Sequence, residues 1–259
     1  MSLKDTIHDS LPLKLAITAV ILILIVLSGS IVDADFGEVI ENAGQAQIFL
    51  TQFLKPEWSY FGDLIEPMIA TLAMSVAGTV LGVIFAIPAA FLGTEIVTRN
   101  KVVTMIFRAF FSLIRTIPNL LLAAIFVAIV GIGEFTGVLT IAVFTFGMVS
   151  QLVFAEIETI DLGPIEANES VGATRFQLAV TSVWPQVQTA VWQYVFYAFE
   201  VNVRASAVLG YVGAGGIGVT LNTALGFRQY GRVSLIILFI LVVIFLVDWL
   251  SNYMREEVL

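Results

Sequence analysis

The sequence has no cysteine and only one histidine, His8, which lies in a polar N-terminal tail. Disulfides, thiol catalysis and cysteine-held metal are excluded, and no catalytic or zinc-binding histidine cluster can be built from this chain. Charge is scarce as well. Asp, Glu, Lys and Arg make up 12% of the residues against 59% hydrophobic, and the mean hydropathy is +0.98. Positive charge is the scarcer kind, with 12 Lys and Arg against 20 Asp and Glu and a net charge of −8. This balance argues against nucleic acid as a partner, since a polyanion is held by excess cation. No GxxxxGK[ST] stretch occurs, so the chain has no P-loop for nucleotide phosphates.

In place of charge there are continuous apolar runs, several of them reaching the roughly 20 residues that cross a bilayer as a helix. Continuous runs select helices over a barrel, whose strands would alternate. The expected fold class is therefore an all-α polytopic membrane protein with six transmembrane helices, at about 13–32, 65–92, 102–130, 138–157, 186–209 and 233–250. The first run follows lysines but is too long for a signal-peptide core and lacks a clear cleavage site, so it is read as an uncleaved span. In the second, Gly78 and Gly82 form a GxxxG that Ala86 and Ala90 continue, a small-residue face for close helix packing. The third is long for one span and carries Arg108, Arg115 and Pro118, which suits a tilted or interfacial start with arginines reaching headgroups or protein.

Between the first two runs, 33–64 is an acidic loop with Asp33, Asp35, Glu38, Glu41, Glu57 and Asp63 against Lys55 alone. Trp58, Tyr60 and Phe61 near its end suit an interfacial aromatic belt, and 39–54 fits an interfacial helix. The chain is accordingly divided into 1–64, holding the tail, first span and acidic loop, and 65–259, a five-helix core. Residues 131–137 read as a tight turn with Glu134 toward solvent. Six spans place both termini on one side with Lys4, Lys14, Arg99, Lys101, Arg175 and Arg255, leaving Lys55, Arg228 and Arg232 opposite. The bias puts both termini and the polar loop 158–186 in the cytoplasm, with the spans in the cell membrane's lipid bilayer.

Within that loop, 166–185 (EANESVGATRFQLAVTSVWP) is patterned. Gly172 suits a left-handed helix C-terminus. Thr174 and Gln177 have the spacing of a capping box. Phe176, Val180 and Val183 then fall on one helical face beside Ala179, and Pro185 stops that segment or starts the next. Such an amphipathic element between two spans either docks into a partner's groove or simply connects them.

The fifth run carries Glu200, Asn202 and Arg204. Glu200 and Arg204 are four apart and can pair on one face, either as a structural lock or, with Arg115, along a path for an anion. Asp248, Glu156 and Glu158 are read as interfacial anchors. Gly213, Gly215, Gly216 and Gly218 spell a GxGxxG within a glycine-rich loop reaching Gly231. A dinucleotide site would need a preceding strand and an acidic residue about 20 positions on. A span precedes instead, so the glycines are read as allowing sharp turns or close packing at the outer mouth. A secondary transporter or channel using the Glu200–Arg204 pair fits these features too. An intramembrane enzyme would need a catalytic constellation, and no catalytic or metal-binding residues are assigned.

Glu166, Ala167, Gly172 and Pro185 resemble the EAA loop of ABC-importer permeases, with departures at Asn168, Ser182 and Trp184, where Ala, Ile and Leu are usual. The stretch 199–218 (FEVNVRASAVLGYVGAGGIG) is similar to phosphonate-type permeases, and Arg115, Ile117 and Pro118 resemble that group and the methionine-type permeases. The resemblance covers about residue 65 to the end. It implies a type I ABC-importer fold, a homodimer, two separate ATPase subunits carrying ATP and Mg²⁺, and an extracytoplasmic substrate-binding protein. On this resemblance Glu166, Ala167 and Gly172 couple to the ATPase, Phe176 and Val180 enter its cleft, and phosphonate, phosphate or phosphite is carried.

Overall fold

A backbone within a bilayer has no water to satisfy its N–H and C=O groups, so each apolar run closes its own hydrogen bonds as a helix. The computed structural model describes residues 11–32, 37, 41 and 43–258; His8 with the rest of 1–10, and Asp33, Asp35 and Glu38, lie outside the described residues. The helices are α1 (Leu11–Ile31), α2 (Ala43–Phe53), α3 (Ile65–Leu92), α4 (Glu95–Thr98), α5 (Lys101–Thr116), α6 (Asn119–Val130), α7 (Glu134–Ile157), α8 (Gly163–Ser170), α9 (Arg175–Leu178), α10 (Trp184–Leu209), α11 (Ile217–Gly226) and α12 (Tyr230–Val258). A 3₁₀ turn, Trp58–Leu64, leads into α3.

Two compact units divide between Thr51 and Gln52. In the first, α1 exposes its leucines, isoleucines and valines all round, a surface that lipid covers and water would not. In the second, α3, α7 and α12 are long and apolar enough to span. With α1 these make four such helices among the described residues, and up to six if each of two bent pairs is taken as one span: α5 meets α6 at 92°, and the continuous helical rod Arg175–Val212 meets α11 at 46°. The first bend has a local cause. Pro118 disfavours the helical conformation in the residue before it, and Ile117 is extended at φ −80°, ψ 118°. Pro118 then serves as N-cap of α6.

The core of the second unit is built on α3 against α7. A Cβ added at Gly78 would lie 2.5 Å from Ile141 Cγ2, and one at Gly82 would lie 2.6 Å from Thr145 Cβ and 2.7 Å from the Ala142 carbonyl oxygen. Ala86 and Ala90 continue the contact, both fully buried. Gly82→Leu therefore forces the two helices apart. The expected loss is about 1–3 kcal/mol, the range for overpacking, read as a lowered unfolding midpoint in detergent, with Leu81→Ala on the exposed side as the silent control.

Two expectations are corrected. The turn after α6 is confined to residues 131–133, with Gly131 at φ +98° and Gly133 at φ +143°, because α7 already begins at Glu134. Gly137 is inside that helix, where an added Cβ would lie 2.6 Å from the Ala214 carbonyl oxygen. The glycine-rich stretch before Gly231 is likewise not all loop, since Ile217–Gly226 forms α11 and takes Gly218 with it. The turns sort to the two ends of the bundle. Gly133 N–H donates to the Gly213 carbonyl at 3.0 Å at one end, and Arg99 pairs with Glu169 at the other.

Candidate functional site

The loop between α7 and α10 is held by its own backbone and by short polar ties. Pro164 sits in the first turn of α8, where its missing N–H has no cost. The helix ends in a Schellman pair: Gly172 N–H donates to Glu169 O at 2.9 Å and Ala173 N–H to Asn168 O at 3.1 Å. Gly172 has φ +86°, as this C-terminal motif requires. Thr174 and Gln177 close the capping box that opens α9. Pro185 lies in the first turn of α10 and so starts the span.

One part of the expected amphipathic face is corrected. Phe176 is 78% exposed and Val180 48% exposed, but Val183 is fully buried. Residues Ala179–Val183 form a π turn, whose wider winding swings Val183 away from the other two and into the core with Leu178. The exposed pair faces an apolar groove of about 520 Å³ lined also by Pro88, Phe91, Val97 and Trp184. Glu166 and Ala167 are exposed on α8. Glu169 anchors the loop through Arg99 and through Arg175 at 3.1 Å. Two of the motif departures meet each other: Asn168 Nδ2 donates to Ser182 Oγ at 2.7 Å, and that hydroxyl donates to the Pro164 carbonyl at 3.3 Å.

The charged residues within the spans form a larger cluster than the sequence pair. Arg204 Nη2 lies 3.6 Å from Glu200 Oε2 and 3.8 Å from Asp248 Oδ1, and Arg255 pairs with the other Glu200 oxygen. Asp248 is thus a member of an ionic cluster joining α10 to α12, not an isolated interfacial anchor. Glu156 and Glu158 are also engaged, the first accepting from the Tyr194 hydroxyl at 2.7 Å and the second pairing with Arg108. Arg115, on the last turn of α5 beside the bend, is exposed and has no ion-pair partner among the described residues. Asn202 is fully buried and donates to Thr79 Oγ1 at 2.8 Å and Thr145 Oγ1 at 2.7 Å, leaving its Oδ1 unpaired. Ser206 with Ser75 (2.9 Å), and Ile217 N–H with Thr71 Oγ1 (2.8 Å), extend this seam between α10, α3 and the start of α11. Sequence reasoning missed the threonines and serines. Their only sign was Thr71, Ser75 and Thr79 at four-residue spacing.

Gly213, Gly215 and Gly216 have φ +84°, +86° and +70°, and an added Cβ at Gly215 would lie 2.8 Å from Glu134 Cγ. Sharp turning and close packing are both present there.

Residues 78–258 match the family described as "Binding-protein-dependent transport system inner membrane component". The chain is 38% identical over 204 residues to the "Phosphite transport system permease protein PtxC" of Stutzerimonas stutzeri, covering 79% of this chain and 74% of that one. It is 33% identical over 208 residues to the "Phosphate-import permease protein PhnE" of Mycolicibacterium smegmatis, covering 80% of this chain and 39% of that longer protein. A solved structure of the MetNI methionine ABC transporter, in an inward-facing conformation, contains a chain of the same fold at a TM-score of 0.68, with 21% identity, covering 76% of this chain and 96% of that one.

Proposed function

The chain belongs to the family of binding-protein-dependent transport system inner membrane components, and from that premise we propose that two identical copies form the pore of an ATP-driven importer for a phosphorus oxyanion. The observation that carries the substrate class is the 38% identity over 79% of the chain to a phosphite permease. Phosphate and phosphonate share the tetrahedral oxyanion that a guanidinium matches. Both termini and the α8–α9 loop face the cytoplasm, where the loop docks onto one of two ATPase subunits that hold ATP and Mg²⁺. Phe176 and Val180, exposed beside the apolar groove, enter the ATPase cleft, while Glu166, Ala167 and Gly172 set the angle of approach. A substrate-binding protein delivers the anion at the opposite face.

Of the two arginines considered for the pathway, Arg115 is the unneutralised one. Arg115→Ala is expected to lower uptake of labelled phosphite about tenfold, the size of one lost charge-assisted hydrogen bond, at unchanged unfolding temperature. A parallel fall in stability would make Arg115 a packing residue instead.

The proposal is tested by purifying tagged chain from its own host in mild detergent, beside a Glu166→Ala/Gly172→Val variant. An ATPase that accompanies wild type and is depleted with the variant supports both the importer and its docking loop. If no ATPase copurifies under conditions that preserve other membrane complexes, a secondary transporter is the better reading.

A further inference from the structure

All three basic residues placed opposite the coupling loop, Lys55, Arg228 and Arg232, line one pocket of about 450 Å³. In a chain of net charge −8, that convergence is built by specific contacts. Arg232 is held by both Glu57 oxygens, at 3.1 and 3.2 Å, and lies over the Tyr60 ring at 4.5 Å. Glu57 N–H donates to the Gly231 carbonyl at 3.1 Å, and a Cβ added at Gly231 would press on the Lys55 carbonyl oxygen at 3.1 Å. The segment before the Trp58–Leu64 turn is thus clamped to the α11–α12 junction, which brings Lys55 and Arg228 to the same cavity.

Glu57 neutralises Arg232, whereas Lys55 and Arg228 have no acidic partner among the described residues. Arg228 is also held in an unusual backbone state. It occupies the C-terminal position of a Schellman turn, with its N–H on Leu225 O at 3.0 Å and Gln229 N–H on Ala224 O at 2.9 Å. Its φ is +55°, a conformation that favours glycine. The backbone at Arg228 therefore carries strain that glycine would relieve.

We infer that this pocket binds a tetrahedral phosphate-type oxyanion through Lys55 and Arg228, with Arg232 fixing the wall between them. Two uncompensated cations match a dianion, and guanidinium and ammonium both suit phosphorus oxygens. The oxyanion has two sources. One is a free anion of the transported class, which rests on the importer reading. The other is a lipid headgroup, favoured by the exposed Leu54, Trp58 and Phe227 nearby in sequence to the pocket residues, apolar side chains that sit well at a membrane interface.

The test measures binding directly and needs no transport partner, so its failure is distinct from failure of the importer reading. Full-length chain in lipid-free detergent is titrated with inorganic phosphate and phosphite by calorimetry, and in a second arm exposed to phosphatidylglycerol and examined for retained lipid by native mass spectrometry. The variants are Lys55→Gln and Arg228→Gly. Glycine fits φ +55°, so Arg228→Gly is expected to unfold no earlier than wild type while binding falls about tenfold. Saturable binding of the free anions, weakened by both variants, assigns a free-anion site; retention of phosphatidylglycerol, lost in both, assigns a lipid site. Binding in neither arm, or binding unchanged by Lys55→Gln, overturns the inference.

Discussion

Valine at position 172 is expected to lower anion uptake at least about tenfold while the chain still inserts in the membrane. No neighbouring atom lies within 4 Å of a Cβ added at Gly172, so the substitution meets no steric obstacle outside its own backbone. The cost lies in φ +86°, roughly 1–2 kcal/mol for an ordinary L-residue and more for a β-branched one. The loop relieves that strain by leaving the left-handed conformation. It then loses the bond from Ala173 N–H to Asn168 O and re-aims α9 with Phe176. On the docking role proposed for this loop, a misdirected α9 would forfeit coupling, since 1.4 kcal/mol is already a factor of ten. Gly172→Asn is the control, because asparagine visits this conformation readily. Uptake of labelled phosphite, normalised to chain in the membrane fraction, separates the cases: near-normal uptake by the valine variant would remove Gly172 from coupling.

Glu200→Ala is expected to lower stability clearly. Glu200 sits between Arg204 and Arg255, so its removal leaves Arg204 with Asp248 and Arg255 with no acidic partner among the described residues. Breaking a fully buried charge pair from one side destabilises by about 3–5 kcal/mol; here Glu200 is buried but both arginines are part-exposed, so the expected loss lies below that range. The double variant Glu200→Ala/Arg255→Met restores the balance and is expected to recover much of the loss. Amount of folded protein by size-exclusion chromatography and unfolding midpoint in detergent provide the cycle. If single and double variants are equally damaged, the cluster is not held by charge balance. If the single variant is stable yet inactive, Glu200 belongs to the transport path itself.

The sequence features that proved legible were those set by local chemistry. Apolar length located the hydrophobic runs, and Gly172 with the Thr174–Gln177 spacing located the loop's two caps; the third run reads as one tilted or interfacial span, and its 92° bend at Pro118 was not foreseen. What was hidden depended on distance along the chain or on winding. Asp248 and Arg255 join Glu200 from another helix, and no spacing rule connects residues so far apart. Thr79 and Thr145 meet Asn202 for the same reason. The π turn put Val183 inside because helical spacing assumes the ordinary pitch throughout. In α11 the three left-handed glycines just before it masked a helical stretch that begins at Ile217. The pairing of Asn168 with Ser182 shows why two departures from the loop motif occur together: each supplies the other's polar partner.

The ionic cluster between α10 and α12 also has an electrical consequence. A charge moved across the full membrane field exchanges about 2.3 kcal/mol per 100 mV. Glu200 and Asp248 balance Arg204 and Arg255, so a rigid displacement of this cluster carries no net gating charge. Displacing these four charges together is therefore neither driven nor opposed by the membrane potential.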